Sequence, residues 1–281
     1  AHFPKMARKP ADVLALCVDE LSKGRNFYET RSTTQYFREL FPTLHVEDDT
    51  FANATHFNSQ HSAVHGKKLR NDMDKRGFAV VPPNSLNKNN GGNSAALAAL
   101  TQAAAHLTTE GWPATFLLAF DEIWTLLAQM EPILSAASGG CRCNFDLLCW
   151  RIPAGSAGFS PHRDRQPADV PGSFRSDGSP RYATCWVALG GADTPAASIL
   201  YVVPREIDPG YSVGDDAASV PGAAEDPLGA CLAADKTRYQ HIRALPTPAG
   251  GACLFTHRTL HWGSKADLCP PCSSEEEEED E

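Results

Sequence analysis

Beyond Gly139-Gly140 the chain changes texture, and this change limits its possible architecture more than any other feature. Before the break come two helical stretches. Ser94 to Thr109 is alanine-rich, with Ser94 placed to act as an N-cap. Thr115 to Ser138 carries Phe116, Leu117, Phe120, Ile123, Leu126, Leu127, Met130 and Leu134 mainly at three- and four-residue steps, a wide apolar stripe suited to lying on a sheet. After the break only short β-type runs remain: Asp146–Ile152, Tyr182–Leu189, Ile199–Val203 and Ala252–Thr256. Gly, Pro and Asp separate them, with no strong helix between. Strands of this kind predict an antiparallel barrel or sandwich.

Other segments fit around that plan. Residues 11–22 repeat apolar positions at helical spacing and Gly24 supplies a stop. Arg76 to Pro82 reads as a strand, and the Asn- and Gly-rich stretch Asn84 to Asn93 as a surface loop. Residues 208–238 form a long insertion rich in Asp, Gly, Ala and Pro, opened by Asp208-Pro209-Gly210-Tyr211. An insertion of that length is functional or disordered, so its opening reads equally as a substrate gate or as a structural turn. Thr247 to Gly251 is a tight turn before the last strand.

Apolar residues make up 42% of the chain and charged residues 21%, an ordinary globular composition. Most of the formal charge of −9 sits in the acidic run Glu275 to Glu281. The nearly neutral body has no basic stripe for nucleic acid or anionic membrane. No apolar run approaches the roughly 20 residues that span a bilayer. Nine cysteines, an odd number with Cys149, Cys185 and Cys253 in apolar runs, read as reduced thiols. They point to an intracellular reducing compartment, the cytoplasm first. Cys269-Pro-Pro-Cys272 has redox or half-zinc spacing but no second pair within reach, so it reads as part of a solvated tail. The chain opens Ala1-His2-Phe3-Pro4 without a methionine, as a fragment would.

The block that carries chemistry is Gly158-Phe-Ser-Pro-His162-Arg163-Asp164-Arg165-Gln166. Side chains two apart on a strand point the same way, so His162 and Asp164 offer an imidazole and a carboxylate to one point. Two histidines and one carboxylate on one face suit ferrous iron and leave positions open. The run Cys253 to Ser264 offers two further histidines, His257 and His261, after an apolar strand. A lone His-x-Asp pair is weak, and salt-bridging surface residues would explain it as well.

Its neighbourhood makes the pair informative. Phe120-Asp121-Glu122-Ile123-Trp124, Pro161-His162-Arg163-Asp164, Ala183 to Leu189, Leu200 to Arg205 and Leu260-His261-Trp262-Gly263-Ser264 follow one another in an order that resembles the phytanoyl-CoA-dioxygenase-like iron(II)/2-oxoglutarate oxygenases. The resemblance runs from residue 116 to 265, about half the chain. It implies a double-stranded β-helix, a jelly-roll, cupin-like barrel of mainly β character with N-terminal helices packed outside. Residues 1–66 would then be an N-terminal helical extension, 67–267 the oxygenase domain with its supporting helices, and 268–281 a disordered acidic tail. It further implies Fe(II), 2-oxoglutarate and O2 as cofactor and co-substrates, with ascorbate as reductant. A small-molecule substrate would be hydroxylated at a C–H bond. His162, Asp164 and His261 are the implied metal ligands and His257 the rival for the third place. Halogenases of this fold carry a small residue where Asp164 stands, which favours hydroxylation.

Two departures matter. The family places an arginine some ten residues past its distal histidine, on a final strand, to pair with the far carboxylate of 2-oxoglutarate; a guanidinium fork matches that group bidentately. After Ser264 this chain has neither, leaving Lys265, Arg181 and Arg151 as stand-ins. Ala196-Ala197-Ser198 also stands where an Asn-Gly turn is common. The missing arginine opens a second reading, an inactive barrel serving as a binding or scaffold protein. A nucleobase-modifying oxygenase is a third, which the lack of a basic surface disfavours. Elsewhere, His56, His61 and His65 read as a solvated stretch, Arg163 and Arg165 as partners of local carboxylates such as Asp169, and Asp121, Glu122 and Trp124 as packing and surface residues.

Overall fold

The computed structural model describes residues 31, 33–48, 62–83, 92–144, 147–165, 172–213, 226–233 and 235–267. The expected helix at 11–22, residues 84–91 of the expected loop 84–93 and the acidic tail lie outside them; Gly92 and Asn93 belong to a helix instead. Helix α1 spans Thr34–Leu40 and is capped by Thr33, whose hydroxyl accepts the Tyr36 N–H. Helix α2 covers Ser62–Arg76, strand β1 Phe78–Val81 and helix α3 Gly92–Thr109. Helix α3 therefore starts before Ser94, which is not its cap.

The expected long helix over 115–138 is two elements. A 3-10 turn at Ala114–Ala119 leads to Phe120, whose backbone is extended (φ −100°, ψ 136°), and helix α4 then runs Asp121–Ser138. Periodicity alone did not show this break, because Phe116, Leu117, Phe120 and Ile123 stay in one apolar cluster across it. Acidic side chains at the new N-terminus hold a distant loop. Asp121 accepts the Glu47 and Asp48 N–H groups, and buried Glu122 accepts the His45 N–H and contacts its Nδ1 at 2.6 Å. Gly139, left-handed at φ 73°, ends α4.

Two three-stranded antiparallel sheets follow. Sheet A has the order β1–β5–β2, with β5 at Ala252–Thr256 and β2 at Ala183–Val187. Sheet B has the order β4–β3–β6, with β4 at Arg243–Leu245, β3 at Leu200–Val202 and β6 at His261–Gly263. Alternation along β5 divides its side chains. Ala252 and Leu254 face Leu69, Met73, Met130 and Leu134 of α2 and α4, whereas Cys253 and Phe255 meet Leu200, Val202 and Leu245 of sheet B. The layers are thus helices, sheet A and sheet B, with the site at one edge of the space between the sheets. Each fully buried Leu or Phe in these faces contributes about 1.5–3 kcal/mol relative to exposure.

Among the described residues the sheets do not close into a barrel. The expected strand over 146–152 is not formed at 147–152; Leu148 and Trp150 are exposed there, while Cys149 packs on the helical cluster and its backbone meets the Thr115 hydroxyl in place of a neighbouring strand. Strands β4 and β6 were not expected, being only three residues long. The insertion contains helix α5 at Gly210–Val213, helix α6 at Pro227–Ala233 and a 3-10 turn at Lys236–His241. No helix among the described residues is long and apolar enough to cross a membrane. The six cysteines among them are free thiols.

Candidate metal centre

His162 and His261 exchange both backbone hydrogen bonds, each N–H donating to the other's carbonyl at 3.0 Å. This isolated antiparallel bridge carries sheet B one segment further. Directly opposed residues in a ladder point to the same face, and the two imidazole rings lie with centroids 4.3 Å apart. Asp164, two residues on from His162, turns the same way. Its Oδ1 is 3.7 Å from His162 Nε2 and 3.6 Å from His261 Nε2.

The other atoms of these side chains are already engaged. His162 Nδ1 lies 2.7 Å from the Ser160 carbonyl and His261 Nδ1 3.0 Å from the Thr259 carbonyl. A carbonyl only accepts, so each Nδ1 carries the proton and each Nε2 presents a lone pair. Asp164 Oδ2 accepts the Thr184 hydroxyl from β2. Burial lowers the pKa of His261, opposed by the neighbouring Asp164 carboxylate, so its ring favours the neutral, ligating form. Phe255 packs on that ring at 4.3 Å. Two imidazole nitrogens and one carboxylate oxygen, all within 4.8 Å of one another, form a donor set fit for iron.

The chain separates His257 from this cluster. The residue lies on the turn between β5 and β6, with its ring stacked on Tyr182 at 5.6 Å. Thr259 N–H closes that turn on the Thr256 carbonyl, and the Thr259 hydroxyl reaches Gly77 O. The stand-in cations are dispersed: Lys265, Arg181 and Arg151 are all exposed, and Arg181 Nε donates to the Phe174 carbonyl.

Three features escaped the sequence reading. Thr184 gave no local signal, because its partner lies twenty positions away on another segment. Arg163 pairs with Asp208, so the head of the insertion is a buried structural contact, whereas Asp169, an expected local partner, lies outside the described residues. Arg165 lies over the Tyr182 ring at 5.8 Å. Arg243 is the third. Val202 is in register with both Arg243 on β4 and His261 on β6, so by alternation Arg243 belongs to the same face as His261, two strands away. Two interstrand spacings amount to roughly 10 Å. Among the described residues this exposed guanidinium is engaged through Nη1, by the Gln240 and Ile242 carbonyls.

No family model and no curated protein matches the chain. Solved structures similar to it include the epimerase SnoN of nogalamycin biosynthesis in complex with Fe3+, alpha-ketoglutarate and nogalamycin RO (16% identity, 73% of this chain and 79% of that one, TM-score 0.44). The non-haem alpha-ketoglutarate-dependent carbocyclase SnoK of the same biosynthesis is another (14%, 72% and 78%, 0.44). A third is EvdO2 from Micromonospora carbonacea var. aurantiaca complexed with 2-oxoglutarate (16%, 71% and 84%, 0.39). SnoN and SnoK are non-haem alpha-ketoglutarate-dependent enzymes by their own descriptions, and EvdO2 is described with bound 2-oxoglutarate. At such scores they transfer no residue role, and the site stands on this chain's own side chains.

Proposed function

We propose that the chain is an iron(II)/2-oxoglutarate-dependent oxygenase of the phytanoyl-CoA-dioxygenase-like kind, hydroxylating a C–H bond of a small organic substrate. The observation that carries this reading is the convergence of His162 Nε2, His261 Nε2 and Asp164 Oδ1, with both Nδ1 atoms held by backbone carbonyls. In this reading sheets A and B are the two faces of a double-stranded β-helix. Iron(II) bound there would couple oxidation of 2-oxoglutarate to succinate and carbon dioxide with insertion of the second oxygen atom into the substrate C–H bond.

The chain's own residues have defined tasks. His162, Asp164 and His261 would hold the iron and leave coordination positions for 2-oxoglutarate and dioxygen. Thr184 fixes which Asp164 oxygen faces inward. Phe255 and Trp186 line the space between the sheets with apolar surface and keep water from it. The far carboxylate of 2-oxoglutarate needs a cation, because a desolvated, unpaired carboxylate is costly. Arg243 joins Lys265, Arg181 and Arg151 as candidates, and its place on the His261 face favours it.

One observation favours the scaffold reading. Lys265, Arg181, Arg151 and Arg243 are all exposed, none held in a closed cationic pocket. Succinate formation separates the readings. Purified protein with iron(II), 2-oxoglutarate and oxygen should release succinate, and His162→Ala should not. Stoichiometric iron binding with no succinate across a panel of small organic substrates would favour the scaffold.

A further inference from the structure

The residue between the two sequence-adjacent ligands faces away from the metal. Arg163 is buried and forms a bidentate pair with Asp208, Nη1 to Oδ2 at 2.5 Å and Nη2 to Oδ1 at 2.8 Å, with side chains 1% and 0% exposed. Arg163 Nη1 also donates to the Arg258 carbonyl at 2.6 Å. Arg258 reciprocates. Its guanidinium, equally buried, donates to the carbonyls of Arg165 at 2.7 Å, Tyr211 at 2.9 Å and Gly210 at 2.7 Å. Each ligand-bearing segment therefore sends one arginine into the backbone of the other, and both arginines grip the segment Asp208–Tyr211. That segment is stiffened in turn, with Asp208 Oδ1 accepting the Gly210 N–H and the Tyr211 hydroxyl meeting Thr256 Oγ1 at 2.9 Å.

We propose that Arg163, Asp208 and Arg258 are positioning residues of the metal centre, setting its affinity by locking the 162–164 and 256–261 segments together; this rests on the His162, Asp164 and His261 reading. Backbone hydrogen bonds join the two segments along one line, at the His162–His261 bridge and from the Arg165 N–H to the His257 carbonyl at 3.2 Å. The crossed arginines add side-chain ties behind the ligands, off that line, which hold the two segments against rotation about it. Stability alone is a poor reason for such a pair, since a buried ion pair is often no more stabilising than apolar side chains of the same volume. Holding ligands in place is what groups behind a metal site do.

The test removes both charges together. In Arg163→Met/Asp208→Leu, apolar side chains fill the space and both members of the ion pair leave together, while Arg258 keeps its three backbone carbonyls. Cobalt(II) titration followed by visible absorption reads the site, and thermal melting reads the fold. The double variant should melt cooperatively yet bind cobalt about 10- to 100-fold more weakly, with an altered absorption band. Arg163→Lys, which keeps the charge and one donor, should recover part of the loss. Wild-type affinity and spectrum in a folded double variant would overturn the proposal. If that variant does not fold, Arg258→Lys is read in the same way, since it keeps the charge but loses the fork that reaches three carbonyls. Absence of cobalt binding by the wild-type protein, matching His162→Ala, would instead refute the metal site and this inference with it.

Discussion

Thr184 donates its hydroxyl to Asp164 Oδ2, and this contact from β2 leaves Oδ1 to face both histidines. A carboxylate free to rotate would present either oxygen, or neither, to the space between His162 and His261. Thr184→Val is nearly isosteric and removes only the donor. It should weaken iron(II) or cobalt(II) binding by about tenfold, while Thr184→Ser retains it. Equal affinities in both variants would leave the hydroxyl without a role at the metal.

His261 and His257 are told apart by which face they reach. His261→Ala should abolish metal binding, since only two protein donors remain, whereas His257→Ala should keep full stoichiometry. Metal content after gel filtration measures both. Loss in His257→Ala with retention in His261→Ala would move the third ligand to the turn.

Arg243 tests where the co-substrate lies. Arg243→Met should raise the dissociation constant of 2-oxoglutarate at least about tenfold, the loss of one charge-assisted bidentate contact, and leave metal affinity unchanged. Calorimetry on the metal-loaded protein decides it. Unchanged 2-oxoglutarate binding would return the role to Lys265, Arg181 or Arg151.

Gly158 is where two backbones meet. A Cβ added there would lie 2.3 Å from the Gly263 carbonyl oxygen and 2.4 Å from that of Ser264, and backbone cannot swing aside as a flexible side chain can. Gly158→Ala should lower stability by about 1–3 kcal/mol, seen as a lower urea midpoint. Metal affinity should fall as well, because the displaced strand β6 carries His261. A variant with an unchanged midpoint would contradict the close approach.

Cys253 predicts an alkaline limit. Burial raises its thiol pKa from an ordinary 9.0 to about 11, against a smaller lowering by the Thr247 hydroxyl. A raised folded-state value means the native state holds its proton longer than the unfolded chain does. The resulting stability is complete below pH 9 and is lost as pH climbs toward 11. Melting temperature should fall over that window, and Cys253→Ala should flatten the fall. Iodoacetamide at pH 8 should leave Cys253 unmodified in the folded protein and label it in urea.

The parts legible in the sequence were those set by neighbours along the chain. The two-residue spacing of His162 and Asp164 pointed to one side for both, although the segment forms no strand and only His162 joins a ladder, as an isolated bridge; the run Ala252–Thr256 is a strand because its apolar residues serve both faces. Helix α4 was legible in its apolar stripe but not in its start. Phe120 bends the chain there so that Asp121 and Glu122 can hold the loop at 45–48, a contact between distant segments. Strands β4 and β6 are too short to carry a pattern and exist because β3 lies between them. The choice of His261 over His257 belongs to the same class. It depends on the turn that carries the chain from sheet A to sheet B, tied through Thr259 to Gly77. Local spacing set His162 near Asp164. The approach of His261 to both, the Thr184 hydroxyl and the crossed pair Arg163 and Arg258 were decided only when the sheets packed face to face, because hydrogen bonds between segments tens of residues apart leave no periodic trace in the chain.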